Sequence, residues 1–229
     1  MNVLIRSLRE NAGYRGAIIV VCFQLEASEE FKFFPDLNIH LIYRPLADLA
    51  HVNGPSLLVF SSLLQSTSYD YYALCDSDLY FIRPIDSVLS EEVISLCPHP
   101  VGDMHGWSET SNREFFFSRR WDSINKWIGG GWISGPRKIL IKHFEELLKA
   151  THLFPDVLQH FCVDEWLFNS FLPRGLKLLD SSKYDINDFI LRPEDGVVWY
   201  HVLTLWRDKF PYYHPEHRPK ILPPRRTFA

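Results

Sequence analysis

Tyr71-Tyr72-Ala73-Leu74-Cys75-Asp76-Ser77-Asp78-Leu79-Tyr80-Phe81 is the stretch on which the fold turns. A β-prone apolar run ends at two aspartates spaced i, i+2, and a second apolar run begins at once. Residues two apart on a strand point to the same side, so both carboxylates converge where the chain leaves its sheet. Two hard oxygen donors at such a place suit Mg²⁺ or Mn²⁺ and, through the cation, a diphosphate. The triplet alone is weak, because Asp-x-Asp arises by chance and also suits a turn or a helix cap. Its setting is more specific: the run before it reads as a buried central strand, and the run after it as a second strand.

Towards the amino terminus, residues 3–8 alternate like a first strand and residues 11–16 (NAGYRG) read as a loop. Residues 17–23 (AIIVVCF) form a continuous apolar run, the pattern of a strand covered on both faces. Residues 38–43 make another strand, and residues 55–67 a helix whose buried face takes Leu57, Leu58, Phe60, Ser61 and Leu64. The resulting order, β-loop-β-α-β-α-β, predicts an α/β protein with a Rossmann-like mixed central sheet flanked by helices.

Towards the carboxyl terminus the pattern is mixed. Residues 93–97 predict a short strand, 101–117 a loop-rich region holding His105, Trp107 and Arg113, and 120–127 one or two helical turns. Residues 129–135 (GGGWISG) read as a tight glycine segment, and Pro136 opens a helix to about Thr151. A second helix over 156–172 stops at Pro173 and Gly175, and residues 197–203 form a last strand. The end, 211–229, carries Pro211, Pro215, Pro219, Pro223 and Pro224 and predicts an extended tail or a linker to a further domain.

With 229 residues, 46% of them hydrophobic, the chain can build one full core. Its 7 Trp, 10 Tyr and 17 Phe suit either a core packed with large rings or pockets that stack on sugars and bases. A net charge of −4 argues against a general nucleic-acid binder, so any phosphate must be met locally, by a metal or a few basic residues. The four cysteines show no C-x-x-C spacing, which argues against zinc and a disulfide framework and favours a reducing compartment. The first residues are too charged for a signal peptide, and no apolar run is long enough for a bilayer span. These features predict a cytoplasmic protein with no integral membrane segment.

No phosphate-binding P-loop or dinucleotide glycine pattern is present. The 11–16 loop follows a predicted strand, where nucleotide folds meet their ligand, so Arg9, Tyr14 and Arg15 are candidates for a base and a diphosphate. An ordinary surface turn with solvated arginines fits the same residues. In the glycine segment, Gly130 and Gly131 allow close approach of a ligand and Trp132 offers an apolar wall to a sugar ring. A hairpin or helix-entry turn with a buried Trp is the alternative. Asp164 and Glu165 are adjacent on a predicted helix, pointing about 100° apart, and their apolar surroundings make a merely solvated pair the weaker choice. His201 lies inside an apolar strand, where a hydrogen-bonded core histidine competes with a metal ligand. His99, His105, His214 and His217 are rivals for the metal role.

The joint order of Asp76-Ser77-Asp78, the 129–135 segment, Asp164-Glu165 and His201 resembles nucleotide-sugar-dependent glycosyltransferases of the GT-A fold. Within that fold, residues 71–203 are similar to the retaining histo-blood-group and α1,3-galactosyltransferase family. That family's His-Asp-Glu-x-x-x-Asn run is matched by Asp164-Glu165-Trp166-Leu167-Phe168-Asn169, with Val163 in place of the histidine. Because of that departure, galactose is not assumed as the donor sugar. The resemblance implies that Asp78 holds Mn²⁺ or Mg²⁺ directly and that Asp76 reaches metal or ribose. It makes His201 the third protein ligand, Glu165 the carboxylate near the anomeric carbon, and Asp164 a partner of donor-sugar hydroxyls. It further implies a UDP-sugar donor, a carbohydrate acceptor and retained anomeric configuration. Residues 1–210 then form one domain, with a nucleotide-binding half (1–100) and an acceptor and catalytic half (101–210). Two other classes remain: a metal-dependent phosphodiesterase or nucleotidyltransferase, and a non-catalytic carbohydrate-binding domain.

Overall fold

The computed structural model describes residues 2–23, 38–44, 53–89, 92–98, 128–153, 163–170, 175–184 and 196–201. The expected elements at 101–117 and 120–127, the start of the second helix and the 211–229 tail lie outside these residues. The protein is a mixed α/β structure with strands running in both orientations.

The chain opens with a helix, α1 (Asn2–Glu10), where alternation had predicted a strand. The deciding spacing is Leu4, Ile5, Leu8 and Ala12, all buried, which repeats with the helical period once Ala12 is included. Gly13, at φ 70, turns the chain out of the helix, and the Tyr14 N–H donates to the Leu8 carbonyl at 3.1 Å. β1 (Ile18–Phe23) and β2 (Ile39–Arg44) follow and pair in parallel. In β1, Val20 and Cys22 are buried while their neighbours are only partly covered, so one face packs rather than two.

α2 (Asn53–Ser66) has no charged residue and buries Leu57, Phe60, Ser61 and Leu64, an i, i+3, i+4, i+7 stripe. Leu58, expected on that stripe, lies a residue off it and is exposed. Arg137 caps the far end, its Nε donating to the Leu64 carbonyl at 2.6 Å and Nη2 to that of Gln65 at 3.3 Å.

β3 (Tyr71–Cys75), β4 (Leu79–Phe81), a single turn of helix α3 (Asp86–Leu89), and β5 (Ser95–Pro98) come next. β6 (Ile128–Pro136), α4 (Arg137–Leu153), α5 (Val163–Ser170), β7 (Lys177–Leu178) and β8 (Trp199–His201) complete the described elements. The largest sheet has the order β3-β6-β5-β7, antiparallel except for the β5–β7 pair. β4 and β8 form a separate antiparallel pair.

Two expectations are corrected here. β3 is not a buried central strand: it ends the sheet order among the described residues, and Ala73 is exposed. The centre is β6, the glycine segment expected to be a tight turn, which is buried from Ile128 to Gly135. β6 divides two cores. Ile133 packs with Phe60, Leu96, Phe144 and Phe168 on one side, and Trp132 with Phe81, Leu179 and Trp199 on the other. Phe144 of α4 meets Phe60 edge-on at 5.0 Å between centroids, and Phe168 at 6.3 Å.

Candidate functional site

The two aspartates sit where one sheet hands the chain to another. β3 ends at Cys75, Asp76-Ser77-Asp78 form the turn, and β4 begins at Leu79. β4 then pairs with β8 in a register that sets Leu79 opposite His201. This pairing carries the imidazole to the aspartates across more than a hundred residues of chain. His201 Nε2 lies 3.3 Å from Asp78 Oδ1 and 3.6 Å from Asp76 Oδ2. One donor atom from each of the three side chains falls within a 4.8 Å span.

Those spacings fit a single cation. At metal–ligand distances of about 2.1 Å, ligands at a right angle lie about 3.0 Å apart and ligands across the ion about 4.2 Å apart. The His201–aspartate distances fall between these limits. Two carboxylates and one imidazole also suit Mn²⁺ or Mg²⁺ in chemical character, and the nitrogen favours Mn²⁺. The Asp78 and His201 side chains are 12% and 13% exposed and Asp76 43%, so the group is sheltered on one side and open on the other.

The backbone is anchored on both sides of the group. In antiparallel pairing every second residue turns its N–H and C=O away from the partner strand. At Phe81 these groups meet α1 and the residue that follows it: the Phe81 N–H donates to Ser7 Oγ at 3.1 Å, and Asn11 Nδ2 donates to the Phe81 carbonyl at 2.8 Å. Asp76 is tied to the glycine strand, its N–H donating to the Gly131 carbonyl at 3.0 Å.

One residue further along β6 stands the acidic pair. The Gly130 N–H donates to Glu165 Oε1 at 3.5 Å, and the Asp164 carboxylate lies directly against the Gly130 Cα. A Cβ at position 130 would meet Asp164 Oδ2 and sit 2.7 Å from its Cγ, so only glycine lets this carboxylate lie here. Asp164 is buried and Glu165 half-buried. Asn169, 1% exposed, ties their helix to the strand. Its Oδ1 accepts from the Ile128 N–H and its Nδ2 donates to the Ile128 carbonyl, both at 2.9 Å. Asn169 stood in the quoted acidic run, but its partner is 41 residues away and no local pattern signals it.

The other sequence candidates have different positions. Trp132 is 2% exposed, stacked against Trp199 at 4.7 Å between centroids, with its Nε1–H donating to Ser134 Oγ. It is a core residue and offers no wall to a sugar ring. Arg9 is 4% exposed and braces the 11–16 loop from within, Nη1 donating to the Tyr14 and Gly16 carbonyls at 2.8 Å each. Burial holds its guanidinium below the ordinary arginine range. Its cation also lies over the Tyr14 ring, 5.5 Å from the centroid. The Tyr14 hydroxyl donates to the Ala17 carbonyl, and burial, partly offset by Arg9, raises its pKa. Arg15 reaches back to the Arg9 carbonyl at 3.4 Å.

Tyr14 of this loop and Cys75, the residue before Asp76, pack against the same core cluster. The Cys75 thiol is pushed up to about 12, first by burial and then by the Asp76 and Asp78 carboxylates. His99, His105, His214 and His217, the rivals of His201, lie outside the described residues. No described helix is long and apolar enough to cross a membrane. The chain matches no protein-family model and no curated protein.

Proposed function

We propose that the protein is a GT-A glycosyltransferase, transferring a sugar from a UDP-sugar to a carbohydrate acceptor with retained configuration. The observation that carries this reading is the convergence on β6. Gly131 receives the Asp76 N–H while neighbouring Gly130 receives the Glu165 and Asp164 carboxylates. A cation-binding group and an acidic pair thus border the same two glycines.

Asp76, Asp78 and His201 would hold Mn²⁺ or Mg²⁺, which when bound supplies Lewis-acid stabilisation of charge on a departing diphosphate. The chain's own groups account for the rest. The reacting sugar develops oxocarbenium character, which a carboxylate on the opposite face stabilises or traps covalently. Glu165, half-buried beside the Gly130 N–H, takes that role. Asp164, buried against Gly130, is proposed to accept hydrogen bonds from sugar hydroxyls.

The test is a screen of UDP- and GDP-sugars for turnover with Mn²⁺ and with EDTA. Release of UDP from one sugar, lost in EDTA and in Asp78→Ala, is the expected result, with the product anomer read by NMR. Failure to turn over any donor, or turnover indifferent to both EDTA and Asp78→Ala, would sink the proposal. Phosphodiester cleavage without sugar transfer would support the nucleotidyltransferase class instead.

A further inference from the structure

We propose that Asn169 is a positioning residue, pinning α5 to β6 in the register that sets the Asp164–Glu165 pair on Gly130. The inference rests on the glycosyl-transfer reading for its catalytic consequence, and on hydrogen bonding for the pin itself.

A helix lying on a strand through apolar contact alone can slide, because side-chain packing tolerates small shifts better than hydrogen bonds do. α5 has such contacts in Leu167 and Phe168, both within the core. Asn169 adds direction. Its amide engages both backbone groups of Ile128, as a neighbouring strand would, and its Nδ2 donates as well to the Glu165 carbonyl at 2.7 Å. At this point β5 presents Pro98 opposite Ile128, and the register between the strands shifts. Because proline has no N–H, this pair exchanges no hydrogen bonds, so both Ile128 backbone groups turn away from β5 and the Asn169 amide takes them.

The pin acts where tolerance is small. Two residues beyond Ile128, Asp164 is against the Gly130 Cα with no space for a methyl group. From Asn169 back to Glu165 is one helical turn, so the same side chain that grips Ile128 also holds the Glu165 backbone. A shift of α5 of about 1 Å would move the catalytic carboxylate by a distance that costs on the order of 100-fold in rate. Asn169→Asp keeps the size but replaces the donor with an acceptor facing two carbonyls, and Asn169→Ser is too short to reach both Ile128 groups.

The experiment has two arms on the full chain. With the UDP-sugar that the wild type turns over, Asn169→Ser and Asn169→Asp should lower kcat at least 30-fold. The Mn²⁺ dissociation constant should stay within about threefold, since Asp76, Asp78 and His201 are held by other elements. Unchanged kcat, or a loss confined to KM, would overturn the positioning role. The second arm needs no activity: urea midpoints of Gly130→Ala, Asn169→Ser and the double variant. A pinned helix cannot retreat from the new methyl group, so Gly130→Ala should lower the midpoint in the wild-type background and much less when Asn169 is already gone. Strictly additive midpoints would refute the pin. Should Asn169→Ser not fold, Asn169→Asp takes its place in the cycle, and additive midpoints there refute the pin. Wild-type protein inactive on every donor would overturn the transferase reading while the midpoints still decide the pin.

Discussion

His143 offers a stability switch whose size follows from its surroundings. It lies on the buried stripe of α4 with Leu140, Phe144 and Leu147, 4% exposed, and neither ring nitrogen has a hydrogen-bond partner among the described residues. Of the elements packed on α4, α2 and β6 carry no titratable side chain. α5 carries Asp164 and Glu165, which are directed at Gly130. The imidazolium is therefore desolvated without compensation, and burial pushes the pKa from 6.5 down to about 4. The folded value lies below the unfolded one, so the unfolded chain binds the extra proton first. Stability is complete above pH 6.5, declines as the pH falls, and levels off below about 4. Two and a half pH units at 1.36 kcal/mol each amount to about 3 kcal/mol in full, of which about 2 kcal/mol has gone at pH 5. For a chain of this length that corresponds to a fall in Tm of roughly 4–8 °C from this residue alone. His143→Leu removes the titration, and all other groups cancel when the variant is subtracted from wild type. Thermal melts followed by circular dichroism at pH 7.5 and pH 5 should show the His143→Leu variant gaining about 2 kcal/mol on wild type over that interval. A wild-type minus variant difference that is the same at both pH values would refute the reasoning.

Three further outcomes are expected. Asp78→Asn and His201→Ala should each weaken Mn²⁺ binding at least about 100-fold, the equivalent of about 3 kcal/mol for an essential electrostatic contact; titration followed by electron paramagnetic resonance checks this, and unchanged affinity counts against the site. Gly13→Ala should destabilise by about 1 kcal/mol in urea titration, since φ 70 penalises a Cβ although nothing lies within 4 Å to clash with it. Cys75, its pKa near 12, should react with iodoacetamide at pH 8 on the order of 1,000-fold more slowly in the folded protein than in urea, read by mass spectrometry of the labelled peptide.

What was legible in the sequence was what depends on near neighbours. The end of β3 at Asp76, the buried stripe of α2 and the helix after Pro136 each follow from a pattern contained in a dozen residues. Residues 3–8 were read as a strand because six residues cannot separate a period of 2 from one of 3.6; the deciding position, Ala12, falls outside the window. Residues 129–135 read as a tight glycine segment because glycine has little intrinsic preference for strands. Their extended conformation is imposed by β3, β5 and α5, which arrive from distant parts of the chain. Trp132 was offered to a ligand for the same reason, since nothing local shows that Trp199 will cover it. The Asp76-Asp78-His201 group is half visible in the sequence: the aspartates announce themselves, whereas His201 is selected from ten histidines by the pairing of Leu79 with it.

The glycines of β6 tie these threads together physically. Each glycine inside a strand costs about 0.5–1 kcal/mol relative to alanine, so three in succession at the centre of a buried sheet need a local reason. Gly130 has one in the Asp164 carboxylate, which occupies the volume its Cβ would take. Gly131 gives its carbonyl to Asp76, the first residue after β3. Immediately beyond, side chains resume on both faces, with Trp132 in one core and Ile133 in the other. The strand is therefore rigid at its packed end and bare where the two acidic groups approach. That arrangement places charged groups next to a wall that resists displacement, because moving Trp132 or Ile133 would open a cavity costing several kcal/mol. For the proposed transferase, a cation and a carboxylate held at fixed separation would gain from such a wall and from a pinned α5 on its other side.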